Sequence, residues 1–90
     1  MLRRDRFEKD LRRIFEENRF GSTVWSPLGG GLLSGKYNDG VKVEGGRYEI
    51  MKGVADPIWN RYFGPGKEEK TKAMLKGLGE YAKELGYTQA

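Results

Sequence analysis

The stretch Trp25-Ser26-Pro27-Leu28-Gly29-Gly30-Gly31-Leu32-Leu33-Ser34-Gly35-Lys36-Tyr37 decides how the rest of the chain is read. Ser22 to Ser26, with β-branched Thr23 and Val24 beside an indole, predicts a short β segment, which Pro27 closes because proline cannot donate to a ladder. A strand alone leaves its amides and carbonyls unpaired, so this one requires neighbours that the chain does not visibly contain. The glycines that follow lack a Cβ and permit close backbone approach to a ligand.

Outward from this stretch the chain is helical at both ends. From about Arg4 to Asn18 the apolar residues Phe7, Leu11, Ile14 and Phe15 fall at i, i+4, i+7 and i+8, one face of a helix. Asp5 stands four before Lys9 and Glu8 four before Arg12, the order in which acidic-to-basic pairs support a helix. Gly21 is positioned to end it through a left-handed residue. A second helix is predicted from about Glu68 to Leu85, with Met74, Leu78, Tyr81, Ala82 and Leu85 as its buried stripe, Glu68 and Glu69 at its positive end, and Gly86 after its last turn. Gly77 and Gly79 weaken it by roughly 1 kcal/mol each relative to alanine. Thr88 is placed to cap a further helix.

Between Leu28 and about Gly66 glycine recurs so densely that long regular elements are excluded, and an irregular stretch of that length in a compact domain means either a functional loop or a wrong assignment of its elements. Within it Asp56-Pro57-Ile58-Trp59-Asn60 can start a short helix, with Asp56 as cap and Pro57 in the first turn. The aromatic cluster Trp59, Tyr62 and Phe63 is expected to cover helix stripes, or else to act as a lid.

Composition narrows the chemistry. The 90 residues include 14 glycines and only 37% hydrophobic residues, thin material for a core. Neither cysteine nor histidine occurs, which removes disulfides, thiolate metal sites and the commonest general base. Seventeen Lys and Arg against thirteen Asp and Glu give +4, with the two signs closely interspersed, so a nucleic-acid partner is not expected. No apolar run approaches a membrane span, and Met1-Leu2-Arg3-Arg4 lacks the apolar continuation of a signal peptide. The expected setting is reduced, soluble and cytoplasmic.

Gly30 through Lys36 fits most of G-x-x-x-x-G-K, the phosphate-cradling loop of nucleotide triphosphatases. Tyr37 breaks the match, since that loop needs Ser or Thr there to hold magnesium and a helix directly afterwards, whereas Asn38-Asp39-Gly40 predicts a turn.

The stretch from Trp25 to Tyr37 resembles the segment that ends the seventh barrel strand of aldo-keto reductases, most closely the branch of voltage-gated potassium channel β-subunits. Phe7 to Phe20 is similar to the preceding helix, Gly46-Arg47 to the cofactor-loop arginine region, and Leu75 to Gln89 to the following helix and the start of the next. The resemblance implies an α/β chain of helix, strand, long glycine-rich loop and helix, a partial domain over residues 1–90 cut from a (β/α)8 barrel, whose ligands sit at the carboxyl ends of its strands. It also implies that Met1 corresponds to an internal position of the family.

By that resemblance Trp25 stacks on a nicotinamide ring, and Ser26, Pro27, Leu28 and Gly30 lie against the cofactor. Lys36 meets the pyrophosphate, and Arg47 lies near an adenosine 2′-phosphate and so favours NADPH. The region before Arg47, Val43-Glu44-Gly45-Gly46, carries an extra residue and lacks the family's proline-rich approach. The family's catalytic tyrosine, lysine and aspartate precede this segment, so no catalytic residue is expected here, and none of Tyr37, Tyr48, Tyr81 or Tyr87 has a sequence neighbour that would lower a phenol pKa. The implied partners are the nicotinamide cofactor, further copies of the chain, and a channel protein. The competing expectation is a non-catalytic module, in which apolar helix stripes and an unpaired strand drive association.

Overall fold

The computed structural model describes residue 2 and residues 4–90. Among the described residues four α-helices form: α1 (Arg12–Asn18), α2 (Arg47–Ile50), α3 (Asp56–Phe63) and α4 (Glu68–Glu84). A wide π turn over Arg6–Asp10 precedes α1, and a 3-10 stretch over Gly29–Ser34 lies between α1 and α2.

The first predicted helix is thus broken in two. The Leu11 amide reaches back five residues to the Arg6 carbonyl at 3.0 Å, closing the wide turn, and α1 then restarts. Phe7 and Phe15 remain on a common side, their rings stacked at 4.8 Å. The helix ends sooner than Gly21 would have placed it, because Arg19 itself takes the left-handed conformation (φ 53°) and Asn18 Nδ2 donates to the Ile14 carbonyl at 3.1 Å. Of the two expected ion pairs, Asp5–Lys9 forms at 3.0 Å, while Glu8 pairs with Arg4. Arg12 turns instead to Glu16. The helical kink at Leu11 separates Glu8 from the turn that carries Arg12.

No strand forms among the described residues, and Ser22 to Ser26 runs exposed and unladdered. The physical reason is the one that made the segment need neighbours: a strand is held by a second strand, and the described residues supply none.

The core is built around the glycine loop and the two later helices. Leu32, Leu33, Tyr37, Tyr48, Ala55 and Leu75 are buried, with Leu2, Trp59, Tyr62, Phe63 and Leu78 packed against them. The rings of Tyr37, Tyr48 and Trp59 meet edge to face at 5.1 to 5.6 Å, and Phe63 stacks on Trp59 at 4.4 Å. Trp59 is therefore a core ring. On α4 the inward stripe is Thr71, Leu75, Leu78 and Ala82 at i, i+4, i+7 and i+11. Met74, Tyr81 and Leu85, expected to be buried, are exposed: the glycine loop and α3 approach α4 from a side about one residue round from the most apolar arc. Thr71 Oγ1 donates to the Tyr62 carbonyl at 2.6 Å and so fastens α4 to α3.

Asp56 is the first residue of α3 and not its cap. Its carboxylate accepts the Gly53 amide at 2.9 Å and pairs with Lys42 at 2.7 Å, while Pro57 occupies the first turn. Near the far end, Asn38 and Gln89 exchange side-chain amide hydrogen bonds at 3.0 and 3.2 Å. Thr88 does not cap a helix among the described residues, and its hydroxyl donates to the Ala90 carbonyl at 2.8 Å. The radius of gyration is 15.2 Å, against about 12 Å expected for a close-packed chain of this length. The excess reflects an amino-terminal segment, Arg4 to Asn18, that contributes no buried residue.

Candidate functional site

Glycine chemistry shapes the site. Gly29, Gly30 and Gly31 all have positive φ (59°, 69° and 96°), and Ser26 joins them at 50°, unusual for a residue with a side chain. The chain therefore folds back on itself directly after Pro27. The Ser26 carbonyl accepts the Gly29 amide at 2.9 Å, and the Ser26 hydroxyl accepts the Gly30 amide at 3.1 Å. A side chain at position 30 would lie 3.3 Å from the Tyr48 hydroxyl and 3.6 Å from Arg47 Cδ. This is where the backbone comes close to α2.

The contact is then locked. Tyr48 Oη donates to the Gly29 carbonyl at 2.6 Å across nineteen positions of sequence, and this bond carries the neighbouring Arg47 up to the glycine loop. The turn before α2 is itself pinned, with the Gly46 amide on the Val43 carbonyl at 2.9 Å and the Gly45 amide on Glu49 Oε2 at 2.6 Å.

Between these pieces lies a hollow of about 560 Å³. Trp25, Ser26, Pro27, Gly30 and Arg47 all line it, five of the seven residues expected to contact a cofactor. Leu28 and Lys36 do not. Leu28 is part of the turn, its carbonyl accepting the Gly31 and Leu33 amides at 3.1 Å each, and the Lys36 amine lies 5.3 Å over the Tyr37 ring. Trp25 is 93% exposed, a face free to cover a planar ligand.

The opposite wall was not anticipated. On α3 the residues Pro57, Ile58 and Arg61 face the hollow and Trp59 and Phe63 the core, while Tyr62 borders both. Helical periodicity alone separates the two sets, and the Ile58 to Arg61 step of three on a helix already expected was the available signal. Arg61 brings a second guanidinium, and no carboxylate lines the hollow.

The Tyr48 phenol in its wall is poorly disposed to give up a proton. Burial pushes the Tyr48 phenol above its ordinary value, with Tyr37 and Tyr62 adding to the rise and Arg47 opposing it. A phenol so shifted, already donating to a carbonyl, holds its proton. Among the described residues no cluster of three His, Cys, Asp or Glu side chains could hold a metal ion.

The sequence, compared with known proteins, matches a protein of Schizosaccharomyces pombe named as a voltage-gated potassium channel subunit beta, with 56% identity over 46 residues, 51% of this chain and 13% of that protein. A second, from Arabidopsis thaliana and named likewise, is 34% identical over 92 aligned positions, covering 100% of this chain and 26% of that protein. The chain is related to these channel β-subunits. It spans at most about a quarter of the length of either. No protein-family profile matches the chain, and no solved structure matches it. Among the described residues no helix is long and apolar enough to cross a membrane.

Proposed function

We propose that the chain is the seventh-strand portion of an aldo-keto reductase-like (β/α)8 barrel and contributes part of an NADPH site used for carbonyl reduction by the whole protein. One observation carries this reading: Trp25, Ser26, Pro27, Gly30 and Arg47, separated by up to 22 positions, line a single hollow. The kinship with channel β-subunits supports it. The chemistry is apt, since an indole face covers a flat ring, glycine backbone admits a ligand closely, and a guanidinium offsets phosphate charge. The chain binds and orients; catalytic groups come from elsewhere in the barrel. A channel protein, further copies of the chain and a cytoplasmic location belong to the same reading.

Tryptophan fluorescence of the purified chain, titrated with NADPH and separately with NADH, tests it, with circular dichroism establishing that the chain is folded. Saturable quenching stronger for NADPH and lost in Trp25→Phe is expected. A folded chain that responds to neither nucleotide would sink the proposal.

A second reading, a non-catalytic association module, is favoured by the exposed apolar side chains Phe20, Val24, Trp25, Tyr81, Leu85 and Tyr87. It requires a sedimentation coefficient that rises with concentration and is indifferent to NADPH.

A further inference from the structure

Arg61 is not among the residues expected to contact a cofactor, yet α3 delivers it to the same hollow as Arg47. We infer that Arg47 and Arg61 form a two-arginine clamp for a phosphate monoester on an aromatic nucleotide, and that Arg61 sets the preference for the phosphorylated form. This inference rests on the nucleotide-binding reading above and adds to it the residue that selects the ligand.

Four features of the hollow converge. First, the two arginines come from different elements, α2 and α3, which the Tyr37, Tyr48 and Trp59 rings hold against each other, so core packing sets both on one hollow. Second, neither is ion-paired among the described residues, whereas Arg4, Arg12, Arg13, Lys42 and Lys72 all have carboxylate partners. Third, the hollow contains no acidic residue to neutralise them. Fourth, its remaining wall is apolar or aromatic, with Trp25, Pro27, Leu33 and Ile58. Two cations lining one hollow repel, and a dianion between them turns that repulsion into attraction. A phosphate monoester carries roughly −1.5 to −2 charges near neutrality and offers three acceptor oxygens, enough for two guanidinium forks. A pyrophosphate alone has no such terminal dianion.

The test compares the wild-type chain with Arg61→Met, Arg61→Lys and Arg47→Met in tryptophan fluorescence titrations, using NADPH, NADH and adenosine 2′-monophosphate as probes. Arg61→Met should weaken NADPH and adenosine 2′-monophosphate by roughly 10- to 100-fold, the range for losing one charge-assisted hydrogen-bonded contact, and leave NADH nearly unchanged. Arg61→Lys, which keeps the charge and loses the fork, should fall between. Unchanged NADPH affinity in Arg61→Met, with a loss in Arg47→Met, would remove Arg61 from the site and leave the nucleotide reading standing. Equal weakening for NADPH and NADH would make Arg61 a shape-holding residue and overturn the clamp. A folded wild-type chain that binds none of the three probes would defeat the nucleotide reading and the clamp together.

Discussion

Two tyrosines of the core differ in a way their sequence surroundings did not disclose. Tyr48 donates to the Gly29 carbonyl, whereas the Tyr37 hydroxyl is buried without a hydrogen-bond partner among the described residues. Removing the Tyr48 hydroxyl in Tyr48→Phe should cost about 0.5–1.5 kcal/mol, because a part-buried carbonyl loses its donor, while Tyr37→Phe should be close to neutral. Urea denaturation of the two variants reads this directly, and equal losses would contradict it. Tyr48 also gives the chain an alkaline limit. Its proton is held more tightly in the folded chain than its ordinary value of 10.0, so the stabilisation is intact below that value and disappears as pH rises through the higher folded pKa. The stability gap between wild type and Tyr48→Phe should therefore narrow above that pH. Tyr48 was legible only as one tyrosine among several, since burial and a partner nineteen positions away are tertiary facts.

The helices were the readable elements, and their partners were not. The last helix ran as its periodicity required, yet its buried stripe moved to Thr71, Leu75, Leu78 and Ala82, because apolarity tells which arc prefers burial and the neighbours decide which arc receives it. The glycines on α4 separate similarly. A methyl at Gly77 meets open space, whereas one at Gly79 would lie 2.8 Å from Gln89 Oε1 and disturb its pairing with Asn38. Gly77→Ala should raise stability by about 0.5–1 kcal/mol, and Gly79→Ala should gain less or nothing, as urea midpoints will show. At the start of α3, the hydrogen bond from Lys42 and then the Gly53 amide hold Asp56 below its ordinary carboxyl value of 3.8. Its stabilisation is present above that value and lost as pH falls through the lower folded pKa. Asp56→Asn should be the less stable protein near neutrality, with the gap to wild type closing in acid; a gap constant with pH would count against the Lys42–Asp56 pair.

For the whole molecule, the decisive quantity is how little is buried. Six hydrophobic residues make the core, all between Leu32 and Leu75, while the amino-terminal turn and α1 bury none. The thin core was legible in composition, whereas the strand expected over Ser22 to Ser26 does not form among the described residues; the hollow could not be foretold, because it depends on Tyr48 reaching Gly29 and on α3 turning Arg61 toward it. The uneven burial has a kinetic consequence. Segments with few buried contacts open at low free energy, and a protease cuts where the backbone opens most often. The Arg12–Asn18 helix is secured by exposed pairs of Arg12 with Glu16 and Arg13 with Glu17, which are weak, weaker still in salt, and in the less favourable order with the basic residue first. Brief trypsin treatment should therefore cleave after Arg12, Arg13 and Arg19 well before Arg61 or Lys72, leaving a carboxy-terminal fragment that contains the glycine loop, α2, α3 and α4. Saturating NADPH should slow cleavage at Arg47 and Arg61 and leave the early cuts unchanged, because those two arginines line the hollow and Arg12, Arg13 and Arg19 do not. Mass spectrometry of the time course distinguishes the outcomes: simultaneous cleavage throughout would mean that the core is no more stable than the helix before it.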